Sequence, residues 1–279
     1  MVLIGWFVAG AAAAAALWWL LRDAFGAPVF ARQNLRGRTV PTGSGLVIVL
    51  GALAIEGIAR VAGAAGARPP EGTHLGRDLA VLLAVGMALL GLFDDLGGVG
   101  ESGGFRGHLS ALAHGRLTTG AVKLFAGAAL AINVVSVLEP DSLGRLLADS
   151  ALVALTANLA NLLDRAPGRV TKASLLAFGV LVLVGGSGEA LAGVALVMGG
   201  AAGLLWQDVR EHMMLGDAGA NVLGAVLGLG LVLACAPSTR TAALLVVISL
   251  NLLSEVVSFS AVIQRVPPLR ALDRLGRLD

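Results

Sequence analysis

Carboxylates recur at a few points in a chain that otherwise carries little charge, and their spacing suggests phosphate chemistry. Asp94 and Asp95 are adjacent in GLFDDLGG, and Asp217 stands in MLGDAGAN with Asn221 four residues on. Asn158, Asn161 and Asp164 are spaced by three in NLANLLDRAPGR. On a helix that spacing keeps two amides and a carboxylate within an arc of about 120° on one face. Adjacent like charges near a low-dielectric region repel, an arrangement a bound cation relieves. Carboxylates hold a hard cation such as Mg2+, the cation holds phosphate oxygens, and Lys or Arg neutralise the charge that remains. Lys123, Arg165, Arg169 and Lys172 are the cations in sequence reach of these acids, and ARQNLRGRTVPTGSGL adds Asn34 among further arginines. Each has a plainer reading. Asp217 would serve as a helix N-cap, the aspartate pair as a solvated helix end, the asparagines as interhelical hydrogen bonds, and the cations as snorkelling side chains.

The elements that must position these residues are apolar on all sides. The chain is 57% hydrophobic and 14% charged, with mean hydropathy +0.86, against about 25% charged residues in soluble domains. Apolar windows predict an all-α, polytopic transmembrane bundle of about nine spans: 2–21, 43–62, 79–93, 118–138, 146–163, 173–185, 191–206, 218–235 and 241–258. The first span lacks a basic leader segment, which favours a retained helix with its N-terminus outside. Fifteen of the 20 Lys and Arg then fall on the cytoplasmic side, where the C-terminus also lies. All the acidic motifs share that side. Residues 1–279 form a single integral-membrane domain, with 265–279 a cytoplasmic tail lying on the inner leaflet as a short helix that alternates leucine and arginine.

Other classes find little support. Basic residues are scattered through short loops without interleaved aromatics, so no nucleic acid is expected as a partner. The single cysteine, Cys235, offers no disulfide framework. His108, His114 and His212 read as loop residues, and neither a Walker A loop nor a Gly-x-Ser-x-Gly elbow is present. The lipid bilayer is the expected surrounding, and a homodimer remains open.

The order of the motifs resembles the polyprenyl-phosphate N-acetylhexosamine-1-phosphate transferases, the family of the phospho-MurNAc-pentapeptide translocase and the GlcNAc-1-phosphate transferases. RTVPTGSGL, GLFDDL, NLANLLDRAPGR and MLGDAGANVLGAVLG carry the likeness, from about Asn34 to Gly228. The resemblance implies helices packed around a cytoplasmic cleft in the bacterial plasma membrane. It implies Mg2+ and transfer of a sugar-1-phosphate from a UDP-sugar to a polyprenyl phosphate such as undecaprenyl phosphate, with release of UMP. Asp217 matches the magnesium-binding aspartate, and Asp94 and Asp95 match the pair beside the lipid phosphate. Asn158, Asn161 and Asp164 match the motif that helps form the nucleotide and metal site, and Lys123 matches the lysine that follows the aspartate pair at a longer spacing. On this likeness Asp94, Asp95, Lys123 and Asp217 are the expected catalytic residues, with Asp217 and Asp164 on the metal. Asn34, Asn158, Asn161, Asp164, Arg165, Arg169, Lys172 and Asn221 are the expected substrate contacts.

The chain departs from the family pattern at three points. Arg165 replaces the usual glycine, the histidine-rich loop near the C-terminus is missing, and one span fewer follows it. A transporter or lipid flippase is the rival from another class, and a degenerate scaffold the rival within the family. Acids grouped at one face rather than at the bilayer midplane weigh against transport.

Overall fold

In the computed structural model the described residues are 1–67, 74–97, 118–186 and 188–278. Helices dominate these residues, and eight are long and apolar enough to cross a membrane. In chain order they begin with α1 (Val2–Phe25), a hairpin of β1 (Ala31–Gln33) and β2 (Thr39–Pro41), α2 (Leu46–Ala64), α3 (His74–Gly97), α4 (Thr119–Ser136) and α5 (Leu143–Leu163). There follow α6 (Arg169–Gly185), α7 (Ala192–Val209), α8 (Asp217–Ala234), α9 (Pro237–Ser254), α10 (Phe259–Arg265) and α11 (Pro267–Arg274).

Each of the nine predicted spans is a helix, with shifted ends. The third is 24 residues long rather than short. Its polar ends, with Arg77 and Asp78 at one and Asp94 and Asp95 at the other, continue the helix where an apolar window stops. The sixth, α6, has 17 residues and is not among the eight helices long enough to span. The predicted all-α class also omits the hairpin, in which Ala31 pairs with Pro41, Arg32 with Val40 and Gln33 with Thr39. Three-residue strands are too short to register in a hydropathy pattern.

The core centres on α7 and α8, which are buried along most of their length, whereas α9 lies on the outside of the bundle. Small residues allow this. Gly199 and Gly203 stand four apart on α7 against α1, and a Cβ on Gly199 would sit 1.9 Å from the Phe7 carbonyl oxygen. Gly224 and Gly228 repeat the spacing on α8 against α5, where a Cβ on Gly224 would lie 2.3 Å from the Thr156 carbonyl. With no hydrophobic drive between helices in lipid, such backbone approach supplies the packing.

Because successive helices run antiparallel, the two ends of the bundle differ. At one end, Glu56 accepts hydrogen bonds from Arg77 Nε (3.0 Å) and Nη2 (3.2 Å), and Asp149 is paired with Arg145 and Arg240. The motif-bearing loops gather at the other end, together with the hairpin and the C-terminal helices.

Candidate functional site

Four elements meet where α8 begins. Gly216, at a positive φ (69°) that favours glycine, turns the chain into the helix, and a Cβ there would lie 2.5 Å from Asp95 Oδ2. The strand leaving the hairpin runs beside the approach to this turn. Met214 N donates to the Pro41 carbonyl (2.8 Å), and Gly45 N donates to that of Leu215 (2.9 Å). Arg32 donates from Nη2 to the Asp95 carbonyl at 3.0 Å, at the end of α3 where carbonyls lack helical partners. The hairpin therefore braces both the aspartate pair and the start of α8.

The two adjacent aspartates separate to different partners. Asp95 accepts the backbone N–H groups of Asp217 and Ala218 on its two oxygens, each at 3.0 Å. It meets the unpaired donors and positive dipole end of α8. A side-chain carboxylate thus sits at the N-terminus of α8. Asp94 instead accepts from Thr119 Oγ1 (2.5 Å) and Lys123 Nζ (2.7 Å). Lys123 also pairs with Asp217, so one ammonium lies between two carboxylates from different helices. Asp217 is the first residue of α8 and not its N-cap, a place held by Gly216. Asn221, buried, donates to the Asp217 carbonyl at 2.7 Å.

Asp164 follows the last residue of α5. Burial first, then the charges of Asp208, Asp217 and Asp95, push its carboxyl well above the ordinary range, against the opposing pull of Arg165. Among the described residues this is a group of acids in which Lys123 is the cation paired with two of the carboxylates. No three of the described His, Cys, Asp or Glu residues close a complete metal cage. The set fits Mg2+ in the manner usual for that ion, which takes one or two carboxylates and completes its octahedron with water and substrate phosphate. Asp217 and Asp164 are the residues that would hold it.

Several other expected contacts turn elsewhere. Asn158 donates to Asn251 Oδ1 on α9 at 2.7 Å, a helix-to-helix bond and so the plainer of its two readings. Asn161 is half-buried and Arg165 exposed. Asn34 donates to Glu211 Oε2 at 2.8 Å. Arg169 and Lys172, expected to bind phosphate, are occupied by the C-terminal tail. Arg169 donates to both oxygens of buried Asp273 (2.8 and 3.1 Å), and Lys172 Nζ to the carbonyls of Leu272, Asp273 and Leu275. Their spacing after Asp164 suggested the site, yet the first turn of α6 points them toward the tail.

Sequence reasoning passed over Arg32, Thr119, Asp208 and Asp273. Asp208 is buried near the end of α7, and its Oδ2 has no hydrogen-bond partner among the described residues. Its signal was an acid closing an apolar window. His108 and His114 lie outside the described residues. No protein-family model matches the chain, and no curated protein matches it at a significant level.

Proposed function

We propose that this chain transfers a sugar-1-phosphate of the N-acetylhexosamine class from a UDP-sugar to a polyprenyl phosphate, releasing UMP, at the cytoplasmic face of a bacterial plasma membrane. The observation that carries this reading is the Asp94–Lys123–Asp217 cluster at the end of the bundle, with Asp164 nearby. A membrane boundary is where a lipid-borne phosphate and a water-soluble nucleotide sugar can meet, and a mixed acid–lysine group is what a phosphate–cation assembly needs there. The resemblance of four ordered motifs supports the substrate classes.

The lipid phosphate is already ionised and nucleophilic, so orientation and charge neutralisation dominate over covalent help. An oxygen of the lipid phosphate attacks the β-phosphorus of the UDP-sugar. The bond from that phosphorus to the bridging oxygen breaks, and UMP leaves with the electron pair. Lys123 offers its ammonium to the phosphate oxygens, held in place by Asp94, which Thr119 in turn steadies. Asp95 positions rather than reacts, fixing the start of α8 and hence Asp217. Magnesium, when bound by Asp217 and Asp164, supplies Lewis-acid stabilisation of the charge that builds on the leaving UMP.

The test is UMP release by purified protein given Mg2+, undecaprenyl phosphate and a panel of UDP-sugars. Release that requires both the lipid phosphate and the metal supports the reading. No release with any donor removes it in favour of a transporter or scaffold.

A further inference from the structure

The C-terminal tail has two unlike faces. Its inner face is tied to the bundle. Asp273, 4% exposed, holds Arg169 and also accepts Arg277 Nη1 (2.9 Å) and Nη2 (2.6 Å). Arg277 Nε donates to the Pro167 carbonyl at 2.7 Å, in the loop after Asp164, and Arg36 donates to the Leu278 carbonyl. Arg36 Nε also meets Glu211 at 2.9 Å, so the tail joins the hairpin turn and the α7–α8 loop to the start of α6.

Away from that contact the tail is apolar and basic. Val262, Val266, Leu269, Leu272 and Leu275 are exposed, as are Arg265, Arg270 and Arg274, and on α11 the leucines and the arginines lie on opposite flanks of Asp273. Asp273 is the only acid in the sequence from 256 to 278, and it is buried against two arginines. Every exposed charge on this stretch is therefore positive. The stretch directly follows α9, so it emerges at the boundary where a membrane-spanning bundle meets headgroups. An apolar flank beside an arginine flank at that depth matches acyl chains below and lipid phosphates above.

We infer that α10 and α11 form an interfacial strap whose outer face binds an anionic lipid surface while Asp273 fastens its inner face to the bundle. The partner is the leaflet itself and not free phosphate, because the exposed leucines and valines have no role with a soluble anion. The strap reaches the loop that follows Asp164. This inference does not depend on the proposed transferase activity.

The experiment uses the full chain in nanodiscs of phosphatidylcholine alone or mixed with phosphatidylglycerol, with amide hydrogen exchange read across 259–278. Each arginine near an anionic surface is favourable enough to give about fivefold, so exchange should slow at least about tenfold in the anionic discs. High salt should remove most of that difference. Arg265→Gln/Arg270→Gln/Arg274→Gln should abolish it while exchange in α8 stays slow, since none of the three touches Asp273. Equal exchange in both discs, or a difference that survives in the triple variant, would overturn the inference. So would slowing by inorganic phosphate to the same extent in phosphatidylcholine discs, or slowing that requires a second copy of the chain in the disc.

Discussion

Asp95 caps the helix that Asp217 begins: its two carboxylate oxygens take the first N–H groups of α8, each at 3.0 Å. The contact joins residues 122 positions apart and fixes the end of α3 to the start of α8. Asp95→Ala leaves both donors unpaired and removes a favourable charge from the helix dipole, a loss of about 2 kcal/mol. Asp95→Asn keeps one acceptor and should fall between the two. Thermal unfolding in one detergent checks the order wild type, Asn, Ala, and equal melting of all three would show that the cap contributes nothing.

Lys123 separates two carboxylates, so its removal exposes their repulsion. Lys123→Met should cut turnover by at least about a hundredfold, the scale of losing a charged group aimed at a reacting phosphate. Lys123→Arg keeps the charge in a larger planar head and should retain part of the activity. If Lys123→Met turns over normally, the ion pairs of Lys123 serve the fold and not the reaction.

The raised carboxyl of Asp164 gives a pH signature. A folded-state value above the unfolded one means a contribution to stability that is complete below the unfolded value, about 3.9, and is lost as pH rises through the folded value. Without divalent cation the melting temperature should therefore fall as pH rises above the ordinary carboxylate range. Mg2+ should raise it more at higher pH, because binding displaces the proton. Asp164→Asn should flatten both trends, and an unchanged Mg2+ response in that variant would take Asp164 out of the metal site.

Asp273 behaves in the opposite sense. Burial alone would raise its carboxyl, but Arg169 and Arg277 outweigh that and hold it below the ordinary range. Strap docking is then fully present above about pH 3.9 and weakens only as pH falls through the lower folded value. Leaving Arg169 buried without its partner, as in Asp273→Ala, should cost about 3–5 kcal/mol. Hydrogen exchange across 259–278 should rise in that variant, and no rise would mean the strap is held by other contacts.

Much of this architecture was legible in the residues. All-apolar windows found every long helix, and the charged motifs clustered at one end as their positions relative to those windows required. The ends were less legible, since α3 carries its polar turns inside the helix and the hairpin is too short for periodicity to detect. Within the site, residue type marked Asp94, Asp217 and Asp164, but partner choice was hidden. Nothing local to FDDL says that one aspartate turns to a lysine on α4 and the other to backbone on α8. The same limit hid Asp273, whose partners Arg169 and Lys172 lie about a hundred positions away.

The membrane orientation can be read with reporter fusions. Fusions after Arg169 and at 279 should report cytoplasm, and those near His74 and Arg145 the outside, following the charge bias of the loops. An external signal after Arg169 would place the acidic cluster beyond the reach of cytoplasmic nucleotide sugars.

The most direct measurement follows the phosphorus. A UDP-N-acetylhexosamine labelled at its β-phosphate is incubated with purified protein, Mg2+ and undecaprenyl phosphate, and label is traced in the lipid and nucleotide fractions. The account predicts label in a lipid diphosphate, unlabelled UMP in equal amount, and neither product from Asp217→Asn. Labelled UDP with sugar alone on the lipid, or equal transfer by Asp217→Asn, would contradict it.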